Sequence, residues 1–145
     1  MIHEFSERGA QLDAMFRELC NGNEAALDVC WSVYRFLHVI DDLVDRDHAV
    51  PVPAVGLSLL AFTDTVALNP FWQAHARELL AVLRVGVMEW IDSEEWRTRE
   101  DVREKLAAEV IKSGYQNFFY SIAGFCGGLA HMQAMTAKYR QFQWD

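Results

Sequence analysis

At 145 residues, 52% of them hydrophobic and 12% aromatic, the chain has the length of one domain and enough apolar side chain for a substantial core, so residues 1–145 are expected to fold together. A formal charge of −8 with no cluster of Lys or Arg excludes a nucleic-acid backbone as partner, and an anionic ligand would need a metal ion or a local basic pocket. Cys20, Cys30 and Cys126 are odd in number, widely spaced and set among apolar residues, which fits reduced core thiols in a cytoplasmic protein better than a disulfide frame or zinc site.

The amino end mixes His3, Glu4, Glu7, Arg8 and Asp13 with apolar residues and does not read as a secretory signal. Leu12, Met15, Phe16 and Leu19 recur at three- and four-residue steps, predicting an amphipathic helix from about Ser6 to Cys20 with Ser6 as its N-cap. Asn21-Gly22-Asn23 breaks that pattern, and Asn23 can cap a second helix that opens at Glu24. This second helix is apolar on nearly all sides from Leu27 to Val44, which predicts a central position with Trp31 in the core.

Pro51 and Pro53 force a turn over residues 47–53, after which a shorter helix is expected from Ala54 to Leu68. Asn69-Pro70 starts a fourth helix that runs from Phe71 to about Trp90 or somewhat further. Thr98 with Asp101 is a capping-box variant opening a long last helical region toward Tyr139, where Gly114, Gly124, Gly127 and Gly128 predict a kink or break and close helix packing. The apolar stretch 115–132 carries Gln116, Asn117, Ser121 and His131, too polar for a membrane span, so no membrane partner is expected. With no sustained two-residue alternation, the fold class is all-α, a single-domain bundle of about five or six helices around a central acidic-ended one.

The acidic end of the second helix is the first candidate site. His38-Val39-Ile40-Asp41-Asp42-Leu43-Val44-Asp45-Arg46-Asp47-His48 follows a long apolar run without a helix breaker. At about 100° per residue, with Asp41 at zero, Asp45 falls near 40°, His38 near 60°, His48 near −20° and Asp42 near 100°. Carboxylates stacked at i and i+4 repel, so a cation is expected opposite, and a divalent metal is the simplest one; the alternative is a helix end whose acids reach water. The fourth helix repeats the chemistry in Glu89-Trp90-Ile91-Asp92-Ser93-Glu94-Glu95, with Glu89 and Asp92 at i and i+3. Oxygen ligands that leave open positions suit Mg²⁺ or Mn²⁺ bridging protein carboxylates to substrate phosphates, with Arg35, Arg84 and Lys112 as candidate phosphate partners.

Asp41-Asp42-Leu43-Val44-Asp45, preceded by His38-Val39-Ile40, resembles the aspartate-rich DDxxD motif of class I isoprenoid diphosphate synthases. In that family the motif sits near the end of a core helix and holds Mg²⁺ against a substrate diphosphate. The resemblance implies Asp41 and Asp45 as metal ligands and Asp42 as a further or outer-shell one. It covers about ten residues, and the family's second aspartate-rich motif has no counterpart, since the only acid after Glu109 is Asp145. A second resemblance is to the small all-α nucleotide pyrophosphohydrolases, which hold Mg²⁺ with ExxE and ExxD on two helices. Glu89-xx-Asp92 matches the second half, and Asp42-xx-Asp45 would stand in for the first.

His75-xx-Glu78 and Asp45-xx-His48 also have the spacing used in di-iron bundles, although the remaining ligands of such a centre are not evident. His131 reads as a core or interface histidine, and Tyr115, Phe118, Phe119, Tyr120 and Phe125 as core aromatics rather than cavity lining. No GxSxG, phosphate-binding glycine loop or CxxC is present. The preferred expectation is a Mg²⁺-dependent site for a diphosphate-bearing small molecule, with turnover left open. The competing class is a non-catalytic interaction or assembly protein, in which a homodimer buries the aromatic tail.

Overall fold

Ser6 begins the first helix as its N-cap, accepting a hydrogen bond from the Gly9 N–H at 3.0 Å. The computed structural model describes residues 6–144, and among these every regular element is helical. The elements are α1 (Glu7–Leu19), α2 (Glu24–Asp45), α3 (Val52–Leu68), α4 (Pro70–Trp96), α5 (Val102–Lys112), a 3-10 turn (Ser113–Gln116) and α6 (Asn117–Trp144). The all-α class expected from the absence of strand periodicity is the observed one. The chain divides into two compact units, the first ending at Ala74 and the second beginning at His75. The division falls where α4 is broken, His75 having left helical geometry with φ −122 and ψ 18.

In the first unit, α1 and α2 are joined by a tight corner in which Asn21 (φ 51) and Gly22 (φ 84) are left-handed. Asn23 then caps α2, as its amide side chain allows, by accepting from the Ala26 N–H at 3.0 Å. The apolar positions meet at this corner: Leu12, Met15, Phe16 and Leu19 of α1 are buried with Ala26, Leu27, Val29, Cys30 and Val33 of α2. Burial does not continue along α2. From Tyr34 to Asp42 its residues are intermediate or exposed, and Trp31 is only part-buried, so the core position expected for it is half realised.

The second and third helices form an antiparallel pair. Thr65 Oγ1 donates to Ser32 Oγ at 2.7 Å, and further along Phe36 stacks on Phe62 with centroids 4.7 Å apart. Besides Phe62, α3 turns small residues toward α2, with Ser58 and Thr65 its buried positions, while Val52, Leu60 and Leu68 are exposed. Asn69 closes this unit by accepting from the Trp72 N–H at 3.0 Å and donating Nδ2–H to the Ala25 carbonyl at 2.9 Å. Because Asn69→Ala removes both a helix cap and a link to α2, it is expected to cost about 2 kcal/mol, measured as a fall in the urea midpoint at unchanged slope.

In the second unit, Leu79, Ala108, Phe118, Phe119, Ile122, Ala123, Met135 and Tyr139 are buried. Asp101, rather than Thr98, caps α5: it accepts from the Arg103 N–H at 2.8 Å, whereas the Thr98 hydroxyl turns back to the Glu95 carbonyl. The glycines expected to break the last helical region do so twice. Gly114 lies in the 3-10 turn, and Gly128 interrupts α6 at φ 81 and ψ −176, a conformation open essentially to glycine alone. Gly86 allows close approach, since a Cβ there would come within 2.9 Å of the Tyr115 Cα. Among the described residues no single helix is long and apolar enough to cross a membrane.

Candidate functional site

Between α2 and α3 the first unit has a half-open cavity of about 340 Å³. Trp31, Tyr34, Arg35, His38, Val39 and Asp42 form one wall, and Ala54, Leu57, Ser58 and Ala61 the other. The cavity arises from a mismatch in side-chain size. Near Ser32 and Thr65 small hydroxyls bring the helices together, whereas toward Asp42 the large residues of α2 face an α3 wall that is small except for Leu57, and a gap remains.

The α2 wall is held by a chain of ring contacts. Phe16 meets Trp31 edge-on at 5.2 Å, Trp31 meets Tyr34 at 5.7 Å, and Tyr34 meets His38 at 4.2 Å. The Trp31 Nε1–H donates to Asp13 Oδ1 of α1 at 3.0 Å, and Arg17 Nε–H donates to the other oxygen at 2.7 Å. The Arg17 hydrogen bond, helped by the Trp31 donor, holds the Asp13 carboxyl below its ordinary range against a smaller opposing effect of burial. On the cavity side the Arg35 guanidinium lies 5.2 Å from the centroid of the Trp31 ring, so the indole is sandwiched between an acid that orients it and a cation that covers it.

Tyr34, His38, Asp41 and Asp45 follow one another at spacings of four, three and four residues, so the cavity wall continues along the same stripe into the acids. Asp41 and Asp45 are part-buried, and each offers a carboxylate oxygen, the two lying within 4.8 Å. Magnesium takes oxygen ligands at about 2.1 Å, so two oxygens on one ion are at most about 4.2 Å apart, a limit close to the bound on this pair. Asp42 is set apart: it lines the cavity, and its Oδ2 meets His48 Nε2 at 3.2 Å. His48 thus leaves the stripe on which a continued helix would place it, because α2 ends at Asp45 and Arg46 is left-handed (φ 57), turning the chain back toward Asp42. The Asp45-xx-His48 pair that a di-iron centre would need is therefore not formed by helical spacing. His75 sits at the break in α4 and stacks on Phe125 at 4.2 Å, away from regular i,i+3 register with Glu78.

The other sequence candidates belong to the second unit. Asp92 and Arg84 are exposed on α4, and Lys112 occupies the last turn of α5. Glu89 turns toward the 3-10 turn, where its Oε2 sits against Gly114, buried and with no hydrogen-bond partner among the described residues. Glu94 pairs through Oε2 with Arg97 at 2.7 Å, while its Oε1 is buried with no hydrogen-bond partner among the described residues. Asp145 lies outside the described residues. Sequence reasoning did not find Asp13 or the α3 wall; the available signal for the latter was the small-residue stripe Ala54, Ser58, Ala61 and Thr65.

Burial pushes the Tyr34 phenol up to about 12, with Asp42 adding in the same direction and Arg8 opposing. A raised folded-state pKa favours the neutral phenol, so its contribution is complete below the unfolded value near 10 and is lost as pH rises from there through about 12. Alkaline unfolding of the wild type is accordingly expected to begin earlier than that of Tyr34→Phe, a comparison made by following circular dichroism and phenolate absorbance together.

Compared with protein-family profiles, curated proteins and solved structures, the chain finds no match.

Proposed function

We propose that the first unit binds a divalent cation, Mg²⁺ or Mn²⁺, through Asp41 and Asp45, and that this ion holds a diphosphate-bearing small molecule whose organic part occupies the cavity between α2 and α3. The supporting observation is the continuity of one α2 stripe: Tyr34 and His38 line the cavity, and the next two positions present carboxylate oxygens within 4.8 Å. Two carboxylates on one helix leave most of an octahedral ion's positions open to water and phosphate oxygens, the arrangement in which Mg²⁺ ordinarily serves phosphate ligands. When bound, the ion neutralises phosphate charge and polarises the bridging oxygen of a leaving diphosphate. In a chain of net charge −8 such a counter-ion, with Arg35, would offset the repulsion of an anion.

The residues of this chain supply the rest. Arg35, fixed over Trp31, presents a guanidinium at the cavity wall, where it can take a phosphate oxygen; Leu57, Val39, Ala54 and Ala61 offer an apolar surface to the organic group. The test is a panel of prenyl diphosphates and nucleoside triphosphates with Mg²⁺, scored for binding and for diphosphate release. Saturable, Mg²⁺-dependent binding of at least one member is expected. Preference for prenyl compounds would favour the isoprenoid-synthase resemblance and preference for nucleotides the pyrophosphohydrolase one, while no binding by any member would favour an interaction protein.

A further inference from the structure

Cys20 and Cys30 are both buried in the first unit, with their Sγ atoms 3.6 Å apart. Cys20 is the C-cap of α1, and Cys30 lies inside α2, directly before Trp31. We propose that this pair is an oxidisable dithiol, which hydrogen peroxide converts to a Cys20–Cys30 disulfide that pins the end of α1 to α2.

A disulfide has its sulfurs about 2.05 Å apart, so the atoms must close by roughly 1.6 Å. Cys30 is fixed by the surrounding helix, whereas α1 has already ended at Cys20 and the next two residues, Asn21 and Gly22, are in left-handed turn geometry. The movement therefore belongs to the Cys20 side. In the first step one thiolate attacks a peroxide oxygen, the O–O bond breaks, and a sulfenic acid and hydroxide form, the latter leaving as water. In the second step the other sulfur attacks the sulfenic sulfur, the S–S bond forms and the S–O bond breaks, releasing a second water. Two thiols and one hydrogen peroxide give one disulfide and two waters, with two electrons passing from sulfur to oxygen.

Burial governs both rate and outcome. Oxidant gains entry only when the last turn of α1 opens, which makes the reaction slow, and the enclosed sulfenic acid then meets the neighbouring thiol before a bulky thiol such as glutathione can reach it. The crosslink also lies on the α1–α2 corner where Asp13 holds the Trp31 indole, so it would stiffen the cavity wall; that consequence, unlike the crosslink itself, rests on the ligand-binding reading above.

The test treats folded Cys126→Ser protein with hydrogen peroxide, followed by mass spectrometry and peptide mapping. A loss of two hydrogens, mapped to a Cys20–Cys30 peptide pair, is expected, together with a rise of several degrees in Tm that dithiothreitol reverses. In the wild type the same bond should form, and in the Cys126→Ser background Cys20→Ser should lose both the mass change and the Tm shift. Retention of both thiols in folded Cys126→Ser protein, higher oxides of either sulfur without a bridge, or crosslinking between chains would overturn the proposal.

Discussion

Phe16→Ala is expected to destabilise the first unit by about 3–5 kcal/mol, the range for truncating a fully buried aromatic. Phe16 has no exposed surface and meets both Trp31 (5.2 Å, 85°) and Tyr34 (5.8 Å, 77°) edge-on, so its ring supports two residues of the cavity wall from behind. The loss combines the transfer free energy of the ring with a void that the helices on either side cannot fully close. Trp31→Ala should cost less, because the indole is part-buried and has the cavity on one side. Urea titrations of the two variants check this order; a Phe16→Ala midpoint shift worth under 1 kcal/mol would show that the ring cluster does not hold the corner together.

Asp41→Asn and Asp45→Asn are expected to act in opposite senses with and without metal. In the absence of metal each substitution removes a like-charge i,i+4 pair, so stability should be unchanged or rise by a few tenths of a kcal/mol, about the scale of such pairs on helices. With Mg²⁺ at about 100 times its dissociation constant, the wild type should gain roughly 2.7 kcal/mol, and the variants should lose most of that gain. Thermal melts with and without Mg²⁺ separate the two effects. Equal melting shifts in wild type and variants would remove the two aspartates from any metal site.

The fold was legible where local chemistry dictates geometry. Ser6 and Asn23 cap the helices they were expected to cap, Asn69-Pro70 starts the fourth helix as expected, and the glycines of the last region interrupt it at Gly114 and Gly128. Burial was less legible, because an apolar pattern records what a helix can bury and not which neighbour covers it. Thus α2 is deeply buried only in its first half, and α3, although more apolar, turns its serine and threonine inward. At the candidate site, helical arithmetic correctly put Asp41 and Asp45 side by side, since both precede the end of α2. The same arithmetic failed for His48, where one left-handed residue after the helix redirects the chain. The cavity was hidden because it depends on the register of α2 against α3, a long-range property that neither helix carries alone.

The most direct measurement of the central claim is a Mn²⁺ titration followed by electron paramagnetic resonance, which counts free ion and hence bound ion per chain. The proposed site predicts one saturable Mn²⁺ per chain that Mg²⁺ displaces, that inorganic diphosphate tightens, and that Asp45→Asn abolishes. Free Mn²⁺ rising in step with total Mn²⁺, or equal binding by wild type and Asp45→Asn, would contradict it.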